Sequence, residues 1–227
     1  YAYILRHFAG FINLGGLPEA PYALPLICMG ILTALAVYSG IEVMGKWTVY
    51  FLLPIAAFVI VYTLLLSKHM DLNHLRPVLQ NGMGPVLKGA WTLISLPFAE
   101  IMAFLFVLPP TGEKGASYKV FVWGLLAGSI LVFIISITDV LVLGVKTVAR
   151  LYYPTYTSLS IIELGQFVQR LEVAAASIFT VAVFFKAAIL LLAIIKCAGR
   201  IFGLDEPRIL VTPIVSLAIN YAVICYD

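Results

Sequence analysis

Apolar runs of about 20 residues, one after another, decide what this chain can fold into. Hydrocarbon offers no water to a backbone N–H or C=O. A spanning segment must therefore satisfy these groups internally, as a helix or within a closed barrel. The apolar/polar alternation of a barrel strand is absent. The fold class is then all-α, a polytopic helical membrane protein. Composition agrees: 63% of residues are hydrophobic, 11% are charged, and the mean hydropathy is +1.07. The net charge of +3 comes from basic residues dispersed between the apolar runs, with no stripe of the kind that binds nucleic acid.

The expected spans cover about 1–11, 21–39, 47–66, 89–109, 118–143, 171–195 and 209–224, in a single transmembrane domain over 1–227. Residues 154–169 are aromatic and amphipathic, which suits an interfacial or re-entrant segment. The sequence begins at Tyr1 rather than methionine and ends within an apolar segment, so it reads as a piece of a longer protein. Cys28, Cys197 and Cys225 lie in or beside apolar runs without metal-ligand spacing, and are expected as free, buried thiols. His69 and His74, with Asp71 between them, lack the further ligands a metal needs and read as part of a solvated connector. No metal and no cofactor is expected. Gly124 and Gly128 have GxxxG spacing, a weak signal in membrane helices. Asp139, near the far end of its span, reads as interfacial. Lysines and arginines near the span ends tie between the two sides, so the charge count leaves orientation open.

One run departs from a plain anchor. Lys88–Pro109, KGAWTLISLPFAEIMAFLFVLP, carries Pro97 near its middle, which removes a backbone donor and clashes with the preceding turn. Ser95 precedes it and offers a hydroxyl to a freed carbonyl or a ligand. Glu100 follows, where an ionised carboxylate is expensive in the bilayer. Irregular backbone at that depth is tolerated only when it is buried in protein or lines a wet cavity. Two readings stand: a broken helix facing a central site, or a proline-kinked structural helix with a packed glutamate. A second intramembrane charge, Lys186, sits well inside the 171–195 span and must deprotonate, snorkel or find an acid or carbonyl partner. Candidate ligand-binding residues are Ser95, Pro97, Phe98 and Glu100, with Phe179 and Thr180 on the turns before Lys186. Glu100 and Lys186 are the candidate charge-coupling residues. No nucleophile–base–acid set or phosphate loop stands out, so no catalytic residue is assigned and an enzyme is not expected.

NHLRPVLQNGMGPVLKG leading into SLPFAEIMAFLFVLP resembles the B subunits of spore germinant receptors, the endospore germination permeases. So do RLE at 170–172, AVFFKAA around Lys186 and the FGL that follows. The likeness runs in order along the whole chain. That family is similar to the amino acid–polyamine–organocation transporters, with a LeuT-like inverted-repeat bundle and helices unwound near the midplane. The resemblance makes Lys88–Pro109 the sixth helix of such a bundle, and the chain a fragment from the end of the third helix into the ninth. SLPFAE stands where a transporter has a glycine-rich break. The implied function is to bind a small-molecule germinant (an amino acid, sugar or nucleoside) in the spore inner membrane, among membrane lipid and beside A and C subunits, and to trigger germination. The alternatives are an active secondary transporter of amino acids or related solutes, with Lys186 in place of a coupling cation and Glu100 carrying a proton, or a channel-like subunit.

Overall fold

The computed structural model describes residues 1–15, 21–76, 82–95, 99–107, 114–161 and 166–224. Every regular element among them is helical, so the all-α expectation holds. The α-helices are α1 (Ala2–Gly15), α2 (Ala23–Ser39), α3 (Ile41–Leu66), α4 (Gly84–Leu93), α5 (Ala103–Val107), α6 (Lys114–Leu143), α7 (Val145–Val148), α8 (Pro154–Ser160), α9 (Gln166–Phe202) and α10 (Val211–Ile224). Tight 3-10 turns occupy Ser67–His69, Leu72–Leu75, Ala99–Met102 and Pro207–Leu210. Among the described residues, four helical stretches are long and apolar enough to cross a membrane: Ile41–His69, Lys119–Leu143, Leu171–Phe202 and Pro207–Ile224.

Two boundaries differ from the sequence expectation. Only Gly40 separates α2 from α3, so the Gly45–Lys46 stretch is already helical. The loop expected after residue 195 starts late, because α9 continues through Cys197 and Arg200 to Phe202.

The chain forms two compact units. The first comprises Tyr1–Tyr50, Leu93–Pro109 and Ile178–Asp227. Leu5, Phe8 and Ala9 of α1 are buried there with Leu26 and Met29 of α2 and Ala222 of α10. Arg6 faces the same neighbours: its guanidinium donates to the Ala222 carbonyl at 3.2 Å and lies 4.0 Å from the centroid of the Tyr22 ring. A second core joins Val37, Met44 and Val107 to Ala188, Leu191, Leu192 and Ile195 of α9 and to Val211 and Val215 of α10. The turn after α9 folds back closely, since a Cβ on Gly199 would lie 2.5 Å from the Pro207 Cβ.

The second unit comprises Phe51–Thr92 and Pro110–Ser177. Its core is Tyr62 and Leu66 of α3, Val142 of α6 and Leu159 of α8. Large apolar side chains point outward along the spanning helices, among them Leu53, Val120 and Trp123, as lipid-facing surfaces require. Among the described residues nothing lies within 4 Å of a Cβ built on Gly124 or Gly128, so their spacing serves no close packing here. Cys28 is exposed and Cys197 partly buried, both as free thiols. The expectation of burial fails for Cys28 because the inward face of α2 is taken by Leu26, Met29 and Thr33. Cys225 lies outside the described residues.

Candidate functional site

The Lys88–Pro109 segment is not one α-helix. Regular α-helix ends at Leu93, and a wider π-type turn holds Ile94 and Ser95. Beyond residues 96–98, a 3-10 turn spans Ala99–Met102 and α5 spans Ala103–Val107. Pro97 and Phe98 fall outside the described residues.

Glu100 and Lys186 come together. The lysine Nζ lies 2.5 Å from Glu100 Oε2, with side-chain exposures of 42% and 23%. Of the outcomes open to Lys186, pairing with an acid is the one observed. Oε2 itself is buried, while the rest of each side chain keeps some exposure. A contact of that kind depends on proximity and screening, and a competing charge can replace either partner.

The rest of the candidate set is less convergent. Phe179 packs on Phe11, with ring centroids 4.3 Å apart. Thr180, the next residue of α9, is partly buried. Ser95 is exposed. Near the pair's own unit core, the Tyr1 hydroxyl meets the Thr33 hydroxyl at 2.6 Å, and Thr33 lies within 2.9 Å of the Met29 and Gly30 carbonyls.

Two polar features escaped the sequence reading. The first is Lys196, whose Nζ donates to the Val107 carbonyl at 2.9 Å. The second lies in the other unit. Asp139 is buried rather than interfacial, at 2% exposure. The Tyr62 hydroxyl donates to its Oδ1, Ser158 donates to Oδ1 at 2.8 Å, and Thr155 donates to Oδ2 at 2.8 Å. Helices α3, α6 and α8 thus meet on one carboxylate. Just beyond it the Leu141 carbonyl accepts from the Asp71 N–H at 3.0 Å and lies 2.8 Å from His74 Nδ1. Gly144 ends α6 at a φ of 79°, with the His74 ring 3.5 Å from where its Cβ would be. The His69–Asp71–His74 stretch is therefore not all solvated connector: His74 is docked on the end of α6. On the α8 side, burial and then the Glu172 carboxylate push the Tyr156 phenol above its ordinary range. A carboxylate late in an apolar run, followed by the hydroxyl-rich PTYTSLS, was the available signal.

The profile of the family described as spore germination protein matches residues 1–226. The chain belongs to this family. It is similar to spore germination protein KB of Bacillus subtilis (strain 168), 25% identical over 221 residues, which are 93% of this chain and 58% of that protein. It is also similar to spore germination protein XB of Bacillus anthracis, 23% identical over 177 residues, 77% of this chain and 49% of that protein. Spore germination protein A2 of Bacillus subtilis (strain 168) is 29% identical over 163 residues, 71% of this chain and 44% of that protein. The chain spans about half the length of the curated relatives it matches. No solved structure matches. Membership of the spore germination protein family, with the four apolar helices, makes this an integral membrane protein.

Proposed function

We propose that the chain is the permease-like part of a spore germinant-receptor subunit, that it binds a small nutrient at the interrupted segment around Glu100, and that binding triggers germination. The observation that supports this most is the Glu100–Lys186 pair: two partly exposed opposite charges, one on a 3-10 turn and the other on a long continuous helix. A nutrient that favours one arrangement of that turn shifts the balance between two states, and a sensor needs no more than this. Ser95 joins the site from the preceding turn and Phe179 and Thr180 from α9; Pro97 and Phe98 are assigned to it from the sequence alone. The protein acts without chemistry of its own, in the spore inner membrane beside A and C subunits.

The test uses the complete protein. Wild type and Glu100→Gln are placed in spores lacking the native copy, at matched protein level, and germination is followed against nutrient concentration. The expected result is a higher half-maximal concentration with the maximum kept. An unchanged curve sinks the assignment of Glu100 to the site. Coupled flux of labelled nutrient into vesicles carrying the complete protein alone would replace the sensor by a transporter.

A further inference from the structure

Lys196 has no part in the site described above, yet it holds the segment that carries Glu100. Val107 is the last described residue of this segment, and its carbonyl accepts from Lys196 at 2.9 Å. Val107 is fully buried, so its carbonyl cannot turn to solvent. Lys196 supplies a charged donor there, which makes a stronger bond than a neutral one. Lys186 stands ten residues earlier on the same helix, roughly 15 Å along its axis. One helix thus holds both ends of the stretch from Glu100 to Val107.

We infer that Lys196 is a positioning residue that fixes the Val107 end of this segment on α9, so that the Glu100–Lys186 pair opens and closes about an anchored end. The two contacts differ in kind. Lys196 binds a buried backbone oxygen through a directed hydrogen bond. Lys186 binds another side chain, and part of each side chain in that pair is exposed. The first contact is built to persist and the second to exchange.

The consequence for signalling rests on the function proposed above; the anchor itself does not. Hydrogen–deuterium exchange on the complete purified protein reads the anchor directly. Lys196→Met is expected to speed exchange of the 103–107 amides by about tenfold, the effect of freeing a buried charge-assisted bond. Lys196→Arg, which still reaches a carbonyl, is expected to stay within about twofold of wild type. Glu100→Gln is expected to speed exchange at 99–102 and leave 103–107 unchanged. If Lys196→Met does not fold, Lys196→Gln replaces it. Unchanged exchange at 103–107 in the Met or Gln variant, or an arginine variant as fast as the methionine one, overturns the anchor. In spores at matched protein level, the Met or Gln variant is expected to lower the maximal germination rate while keeping the half-maximal concentration, opposite to Glu100→Gln. A maximum kept alongside faster exchange overturns the link to signalling, and leaves the Glu100 test to decide the site on its own.

Discussion

Removing one hydroxyl from the Asp139 cluster measures how far that carboxylate holds its unit together. Asp139 is buried, and no lysine, arginine or histidine pairs with it among the described residues. Its stabilisation there comes from the Tyr62, Thr155 and Ser158 hydroxyls. The Ser158 proton is shared, because its oxygen also lies 3.0 Å from the Pro154 carbonyl. Tyr62 is therefore the cleanest donor to delete. Tyr62→Phe keeps the ring, its stacking on Phe58 with centroids 6.1 Å apart, and its place against Leu66, Val142 and Leu159. What is lost is one hydrogen bond to a charged group, worth about 1.5–3 kcal/mol. Two donors remain, so the lower half of that range applies, about 2 kcal/mol. The curated relatives are about twice as long as this chain, and in a complete protein of that size the loss lowers Tm by roughly 2–4 °C.

The assay is fluorescence-detected size-exclusion chromatography of the complete protein in detergent after heating. The control is the same substitution in an Asp139→Asn background. There the remaining acceptor is neutral and the hydroxyl is worth only about 1 kcal/mol, so the loss should shrink to roughly half. A Tyr62→Phe protein that melts within about 1 °C of wild type refutes the reasoning, since that corresponds to under about 1 kcal/mol. So does an undiminished loss in the asparagine background, which would show that the hydroxyl acts independently of the carboxylate.

Two further outcomes follow from the first unit. Glu100→Lys and Lys186→Glu each place like charges in contact, and each should cost about 1–3 kcal/mol, between the values for screened and buried pairs. The double reversal should recover most of the loss in melting temperature, and additive losses would show that the two side chains do not pair in the membrane. Gly199→Ala drives a Cβ to 2.5 Å from the Pro207 ring, which cannot rotate away; overpacking of this kind costs about 1–3 kcal/mol, read as a lower Tm of the complete protein, and an unchanged Tm would place Pro207 elsewhere.

The helical class was legible because long apolar runs leave a membrane chain little choice of backbone. So was the irregularity at 88–109, because proline and a charge in such a run each break a local rule. What periodicity could not give was partnership across the chain. Lys186 and Glu100 are 86 positions apart, and nothing local tells which acid an intramembrane lysine finds. Lys196 falls just outside the span expected over 171–195, because periodicity places helix ends only to within a few residues, whereas α9 runs on to Phe202. Asp139 was misread for a related reason. Its position near the end of a span suggested solvent, whereas Tyr62 and the 155–158 hydroxyls reach it from elements far along the chain.

The two carboxylates show how differently a membrane protein can hold the same group. Asp139 is enclosed by three neutral hydroxyls from two helices, α3 and α8, each donating to one of its oxygens. Displacing any one of them leaves a buried acceptor short of a donor, with no charge on the ligand to compensate. Such a site resists exchange and suits a joint. Glu100 is held by a single cation, on a different element, with part of each side chain exposed. A polar ligand that brings its own charge or donors can take the place of either partner. Under the function proposed above, Glu100 is then the ligand-responsive position and Asp139 the fixed one. Exchanging their environments should exchange their roles: a directed donor added beside Glu100 should raise the nutrient concentration needed for germination, because the ligand must then displace two interactions instead of one.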